Sequence, residues 1–141
     1  MIVSDILRKK PGSIYSVTGN ISVFDALFLM DEKNIGALIV IEDEKLIGII
    51  SERDYARKII LKGRTSHETA VSEIMTRKVI TVSSSDDLDQ CMELMSVKDI
   101  RHLPVVDNSV VVGMISIGDV VKAVIEGQKE TIEHLKNYIS Q

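Results

Sequence analysis

The 141-residue chain has no tryptophan and only five aromatic rings: Tyr15, Phe24, Phe28, Tyr55 and Tyr138. Binders of single-stranded nucleic acid offer stacking platforms, so this scarcity speaks against that class. Its single cysteine, Cys91, excludes an intramolecular disulfide and fits a reducing compartment. No apolar run approaches the ~20 residues that cross a bilayer. Met1-Ile2-Val3-Ser4-Asp5 shows no basic region followed by a long apolar stretch, so no signal peptide and a cytoplasmic location are expected. A net charge of −4 lacks the basic excess of a duplex nucleic-acid binder, while leaving room for a small anionic ligand held by local charge. The length suits one domain or two small modules sharing a core.

What the chain has is a duplication. A shift of 65 positions lays Ile14–Ile60 on Val79–Ile125 without a gap. Identical pairs include Leu29/Leu94, Met30/Met95, Ile35/Ile100, Leu38/Leu103, Val40/Val105, Gly48/Gly113, Ser51/Ser116 and Asp54/Asp119. A shorter echo precedes each copy, Val3-Ser4-Asp5-Ile6-Leu7 against Val71-Ser72-Glu73-Ile74-Met75.

Each copy reads as β-α-β-β-α, an α/β (α+β) pattern. In the first, Ile14–Val17 is a short strand and Ser22 caps a helix to Lys33. Ala37–Ile41 is a buried strand, Glu42–Lys45 a turn, Leu46–Ile50 the return strand, and Glu52–Leu61 a second helix. The second copy repeats this with Ile80–Val82, a helix over Leu88–Lys98, and a hairpin of Leu103–Val106 and Val110–Ile115. A last helix runs from Ile117 to Tyr138. Residues 1–61 form the first repeat, 62–70 a polar linker, 71–126 the second repeat and 127–141 a helical extension. The extension carries Ile132, Leu135 and Ile139, which have no counterpart in the first copy. A partner surface, and a homodimer, are expected from this stripe.

The recurrent feature is a strand that ends in serine, with aspartate three residues later: Gly48-Ile49-Ile50-Ser51-Glu52-Arg53-Asp54 and Gly113-Met114-Ile115-Ser116-Ile117-Gly118-Asp119. Two readings stand side by side. One is a capping box, in which Ser and an acidic N3 residue satisfy the first helical amides. The other is a nucleotide cradle. A carboxylate accepts two bonds from a ribose diol, and a hydroxyl with free amides at a helix start holds phosphate. Gly48 and Gly113 then permit close approach of backbone or ligand. Ser16, Val17, Thr81 and Val82 belong to apolar strands able to sandwich a purine.

On these residues the chain resembles a tandem pair of CBS domains, a Bateman module. The repeat, Gly48-x-x-Ser51-x-x-Asp54, Gly113-x-x-Ser116-x-x-Asp119 and Ile100-Arg101-His102-Leu103-Pro104-Val105 all match, from Val3 to about Ile125. It is also similar to stand-alone CBS-pair proteins of bacteria and plant mitochondria. The resemblance implies two repeats packed with pseudo-twofold symmetry. It also implies adenine-nucleotide binding (AMP, ADP or ATP, or NAD or S-adenosylmethionine) in clefts between them, and a flat, disk-like homodimer. The aspartates would contact ribose, and Arg101 and His102 would contact phosphate. Arg53 and Arg64 are second-tier phosphate contacts. The copies differ at Gly36-Ala37/Arg101-His102, Ile39/Pro104 and Arg53/Gly118, so two unequal sites are expected.

Other candidates have plainer readings. Cys91, at the position of Ala26, belongs to a core. Lys9-Lys10 reads as a solvated basic pair. His67 and His134 have no metal-ligand spacing, and no metal or catalytic cofactor is expected. The leading functional expectation is a non-catalytic nucleotide sensor that signals to a regulated protein. A dimerisation module with vestigial sites is the alternative, and a small nucleotide hydrolase is the third, since neither Ser51 nor Ser116 has an evident histidine base.

Overall fold

The computed structural model describes residues 1–10 and 14–140. The chain divides into two compact bodies that cut across the sequence repeats. The central body is Ile14–Ile80; the other joins the N-terminal segment to the chain from Thr81 onward, and is called composite below.

In the central body, β1 (Ser16–Val17) pairs in parallel with β2 (Ala37–Glu42), which pairs antiparallel with β3 (Lys45–Ser51). The crossover between β1 and β2 is α2 (Val23–Lys33). Its start is set by Ser22, whose hydroxyl accepts the Asp25 amide at 3.0 Å, and its end by Asn34 in the left-handed region at φ 54°. Four residues of β2, Ala37–Val40, are completely buried, as expected of an apolar strand covered on both faces. Leu38 and Val40 pack with Val23, Ala26, Met30 and Ile50 into the core. Two positive-φ residues, Asp43 and Glu44, make the tight hairpin turn. Beyond β3 the chain enters α3 (Glu52–Lys58).

The composite body repeats the plan with α5 (Leu88–Lys98), a hairpin of β4 (His102–Asp107) and β5 (Val110–Ser116), and α6 (Ile117–Ile139). The register is the same, Leu103 opposite Ile115 as Leu38 is opposite Ile50, with a bulge at the equivalent place in each hairpin.

Three expectations change. The first strand of each copy is shorter: β1 has two residues, and in the composite body only Val82 bridges Val105. A strand pairing along one edge for so few bonds ends as soon as its side chains leave the core. The second helix ends at Lys58, followed by a 3-10 turn over Ile60–Lys62 closed by Gly63 at φ 68°. The segment read as a linker packs into the central body. The Thr69 carbonyl accepts the Val23 amide at 2.8 Å, Thr69 is buried, and His67 stacks on Phe24.

The two short echoes become helices with a shared task. In the central body α4 (Val71–Ile74) leads to Met75, whose side chain covers Gly48. In the composite body α1 (Val3–Lys9) presents Leu7 to Gly113. The strand glycines thus make room for a packed side chain, which corrects the expectation that a ligand or backbone alone required them. A Cβ at Gly48 would lie 2.6 Å from Met75 Sδ and 3.1 Å from the Thr76 carbonyl; at Gly113 it would meet the tip of Leu7 at 2.7 Å. Gly48→Ala is therefore expected to cost about 1–3 kcal/mol in chemical denaturation. Gly113→Ala should cost less, because the leucine tip can turn aside and the Thr76 carbonyl cannot. A larger loss at Gly113 would contradict this packing.

Candidate functional site

Both strand-to-helix junctions are reciprocal capping boxes. In the central body Ser51 Oγ accepts the Asp54 amide at 3.3 Å, while Asp54 Oδ2 accepts the Ser51 amide at 2.9 Å. In the composite body the same bonds join Ser116 and Asp119 at 3.1 and 2.9 Å. The capping reading from sequence is thus realised in both copies. It leaves open what the remaining carboxylate oxygens do, and there the copies part.

Asp54 is nearly enclosed, its side chain 11% exposed. Oδ2 takes the Ser51 amide and hydroxyl; Oδ1 takes Lys58 Nζ at 3.0 Å and Thr76 Oγ1 at 3.4 Å. Lys58 is held in turn by the Ile74 carbonyl at 2.7 Å. Asp119 is more open, its side chain 26% exposed. Oδ2 takes the Ser116 amide and Lys10 Nζ at 2.8 Å, while Oδ1 takes no hydrogen bond among the described residues. Lys10, expected as a solvated charge, is therefore part of this junction, and its ammonium also reaches the Met114 carbonyl at 3.4 Å.

Burial opposes ionisation of Asp119, but hydrogen bonds from Lys10 and the Ser116 amide, with the charge of Lys10, outweigh it and hold the carboxyl below its ordinary value near 3.8. A depressed folded-state pKa stabilises the fold above the unfolded value and loses that contribution as pH falls through the folded one. Stability of the wild type is thus expected to decline below about pH 4. Lys10→Met should flatten that part of the profile, read as melting temperature against pH. An unchanged acid limb in the variant would contradict the pairing.

The other expected contacts divide between the bodies. His102 opens β4 directly opposite Ser116, and the Arg101 carbonyl accepts the Ile117 amide at 2.8 Å. The backbone of Arg101 and His102 therefore adjoins Ser116 and the start of α6 at the composite junction. At the central junction the equivalent places hold Gly36, whose carbonyl accepts the Glu52 amide, and Ala37 opposite Ser51. Arg53 lies in the first turn of α3. Arg64 pairs with Glu73 at 2.6 Å. Ser16 and Val17 lie beside Ile39 and Val40 in the central sheet, and Val82, next to Thr81, lies beside Val105 in the other body.

A cavity of about 250 Å³ adjoins the composite junction, lined by Lys9, Lys10, Asp119, Lys122 and Glu126 among others. No spacing signal marks Lys10, which lies 109 residues from its partner. Lys58 did carry one, the i, i+4 acid-to-base spacing from Asp54. Cys91 is buried in the core, and burial followed by the charges of Asp86 and Asp87 pushes its thiol up, away from reactivity. Among the described residues there is no cluster of metal-binding side chains and no helix long and apolar enough to cross a membrane.

A duplicated β-α-β-β-α unit whose strand-to-helix junctions carry Ser-x-x-Asp in register defines a paired regulatory-type module. The chain belongs to the CBS-domain family: that family's model matches residues 3–61 and 71–126. It is 42% identical to the mitochondrial CBS domain-containing protein CBSX3 of Arabidopsis thaliana, over 97% of this chain and 71% of that protein. A CBS-domain protein of Burkholderia ambifaria superposes with a TM-score of 0.87 at 50% identity, covering 91% of this chain and 96% of the other. The CBS domain pair of protein MJ0100, in complex with 5′-methylthioadenosine and S-adenosyl-L-methionine, superposes at 0.78 with 29% identity, covering 91% and 98%.

Proposed function

We propose that this protein is a non-catalytic sensor of an adenosine-containing ligand (AMP, ADP, ATP, NAD or S-adenosylmethionine) that signals to a regulated protein from the cytoplasm. The observation that carries the proposal is the composite junction, where Asp119 keeps an acceptor oxygen open and lines a cavity, with Arg101 and His102 at the adjoining start of β4. A carboxylate so placed suits a ribose diol, and the Arg101 guanidinium with the His102 imidazole suits a phosphate or carboxylate. The adenosine class is supported by the ligands of the MJ0100 pair. In this reading Ser16, Val17, Thr81 and Val82 flank the purine, Arg53 and Arg64 are second-tier phosphate contacts, and Ser51 and Asp54 are the repeat equivalents of Ser116 and Asp119, whose own capacity for a ligand is taken up below. The repeat boundaries 1–61 and 71–126, with 127–141 as an extension, are retained as the functional division.

Thermal shift with each ligand, followed by chromatography of the incubated nucleotide, tests this. A rise in melting temperature with unchanged nucleotide is the expected result; turnover would favour a hydrolase. No shift with any of them would favour the dimerisation module, a reading that the complete capping boxes keep in view.

The homodimer forms part of the same proposal. The far part of α6 presents Ile132, Leu135, Tyr138 and Ile139, all more than half exposed. An isolated helical segment of this length is marginal in water, so a second copy packing on the stripe would stabilise it. Light scattering should give twice the monomer mass for the wild type and the monomer mass for Leu135→Asp. A monomeric wild type, or a dimer unaffected by the substitution, would remove this element.

A further inference from the structure

Resting on the nucleotide-sensing reading, we propose that Lys58 closes the central junction, so that the chain takes one adenosine ligand, at Asp119, rather than two. The two aspartates are repeat equivalents with the same capping bonds, yet their free acceptor capacity differs. All of Asp54's bonding is internal, and the oxygen not used for capping is filled by Lys58 Nζ and Thr76 Oγ1. The ammonium that fills it is fixed at a second point by the Ile74 carbonyl. A ribose diol arriving there must displace an ion pair and leave an ammonium without one partner. At the composite junction the position equivalent to Lys58 is Ala123, which has no side chain to reach Asp119. Lys10 occupies the capping oxygen instead and leaves Oδ1 for a ligand.

Lys58 is thus a competitor for the carboxylate rather than a ligand contact. Its side chain is 42% exposed, so its removal should leave the fold intact. The arrangement also accounts for the unequal sites expected from the Arg101-His102/Gly36-Ala37 difference, since the junction with Gly36-Ala37 in place of Arg101-His102 is also the one that is closed.

Titration calorimetry with S-adenosylmethionine and with AMP tests the inference. The wild type should bind one equivalent, kept in Asp54→Asn and lost in Asp119→Asn. Lys58→Ala should bind two. Ala123→Lys, which builds the same competitor at the composite junction, should weaken the single wild-type site about tenfold. Two equivalents in the wild type, a single equivalent that depends on Asp54, or a Lys58→Ala variant that stays at one or binds more weakly would overturn the inference while leaving the sensing reading in place. No binding of S-adenosylmethionine, AMP, ADP, ATP or NAD to any variant would overturn both.

Discussion

Asp119→Ala is expected to lower affinity for an adenosine ligand about a hundredfold, with only a modest loss of stability. A ribose diol makes two charge-assisted hydrogen bonds to a carboxylate, and hydrogen bonds to charged groups contribute about 1.5–3 kcal/mol each. Water competes for the same oxygens, so a net loss of ~2.7 kcal/mol, two decades in Kd, is the reasonable magnitude. The variant also loses a helix cap of ~1 kcal/mol. The partly exposed ion pair with Lys10 adds little. Titration calorimetry and thermal melting on the same sample separate the two effects. A variant that melts like the wild type, minus a few degrees, but no longer responds to ligand would show that Asp119 serves binding beyond its cap. If affinity stayed within threefold of the wild type, the carboxylate would be a cap alone.

Leu38→Ala and Leu103→Ala are expected to be the most destabilising single changes, at about 3–4 kcal/mol each. Both side chains are completely buried, and each faces an isoleucine across its hairpin, Ile50 and Ile115. Truncation removes the transfer free energy of the leucine and leaves a cavity that a sheet clamped on both faces cannot close. Against a total of about 5–15 kcal/mol, either loss removes a large share of the stability. Because the two sites are repeat equivalents with the same register, the costs should agree within about 1 kcal/mol in urea denaturation, a spread typical of one substitution in different packing. A loss below 1 kcal/mol at either leucine would mean that its body is not packed as described.

The sequence was most legible where one local signal agreed with another. Ser22, the helical spacing of Val23, Ala26 and Met30, and Asn34 mark both ends of α2, and the helical pattern over Leu88–Lys98 coincides with α5. Repetition revealed the two hairpins and the paired Ser-x-x-Asp junctions. Less visible was anything set by long-range packing. The echo around Val3 and Val71 was readable as a repeat, but not that its Leu7 and Met75 would each fill the space over a strand glycine. α3 gives way after Lys58 to a 3-10 turn that Gly63 closes in the left-handed region, where helical spacing alone continued to Leu61. The candidate site was legible in its acids and serines and not in its lysines. Lys10 reaches Asp119 only because α1 lies against β5 and α6, and no spacing within the chain announces that.

Binding of an adenosine ligand at Asp119 and its junction is open to direct test. The most direct measurement is the thermal shift of the wild type and of Asp119→Asn with S-adenosylmethionine, AMP, ATP and NAD. The asparagine keeps the side chain's shape and removes its charge. At ~100 times Kd a ligand adds about 2.7 kcal/mol to stability, a shift of several degrees for a chain of this size. The account predicts that at least one of these ligands produces that shift in the wild type and that Asp119→Asn abolishes it. Equal shifts in both proteins, or none in either, would contradict it.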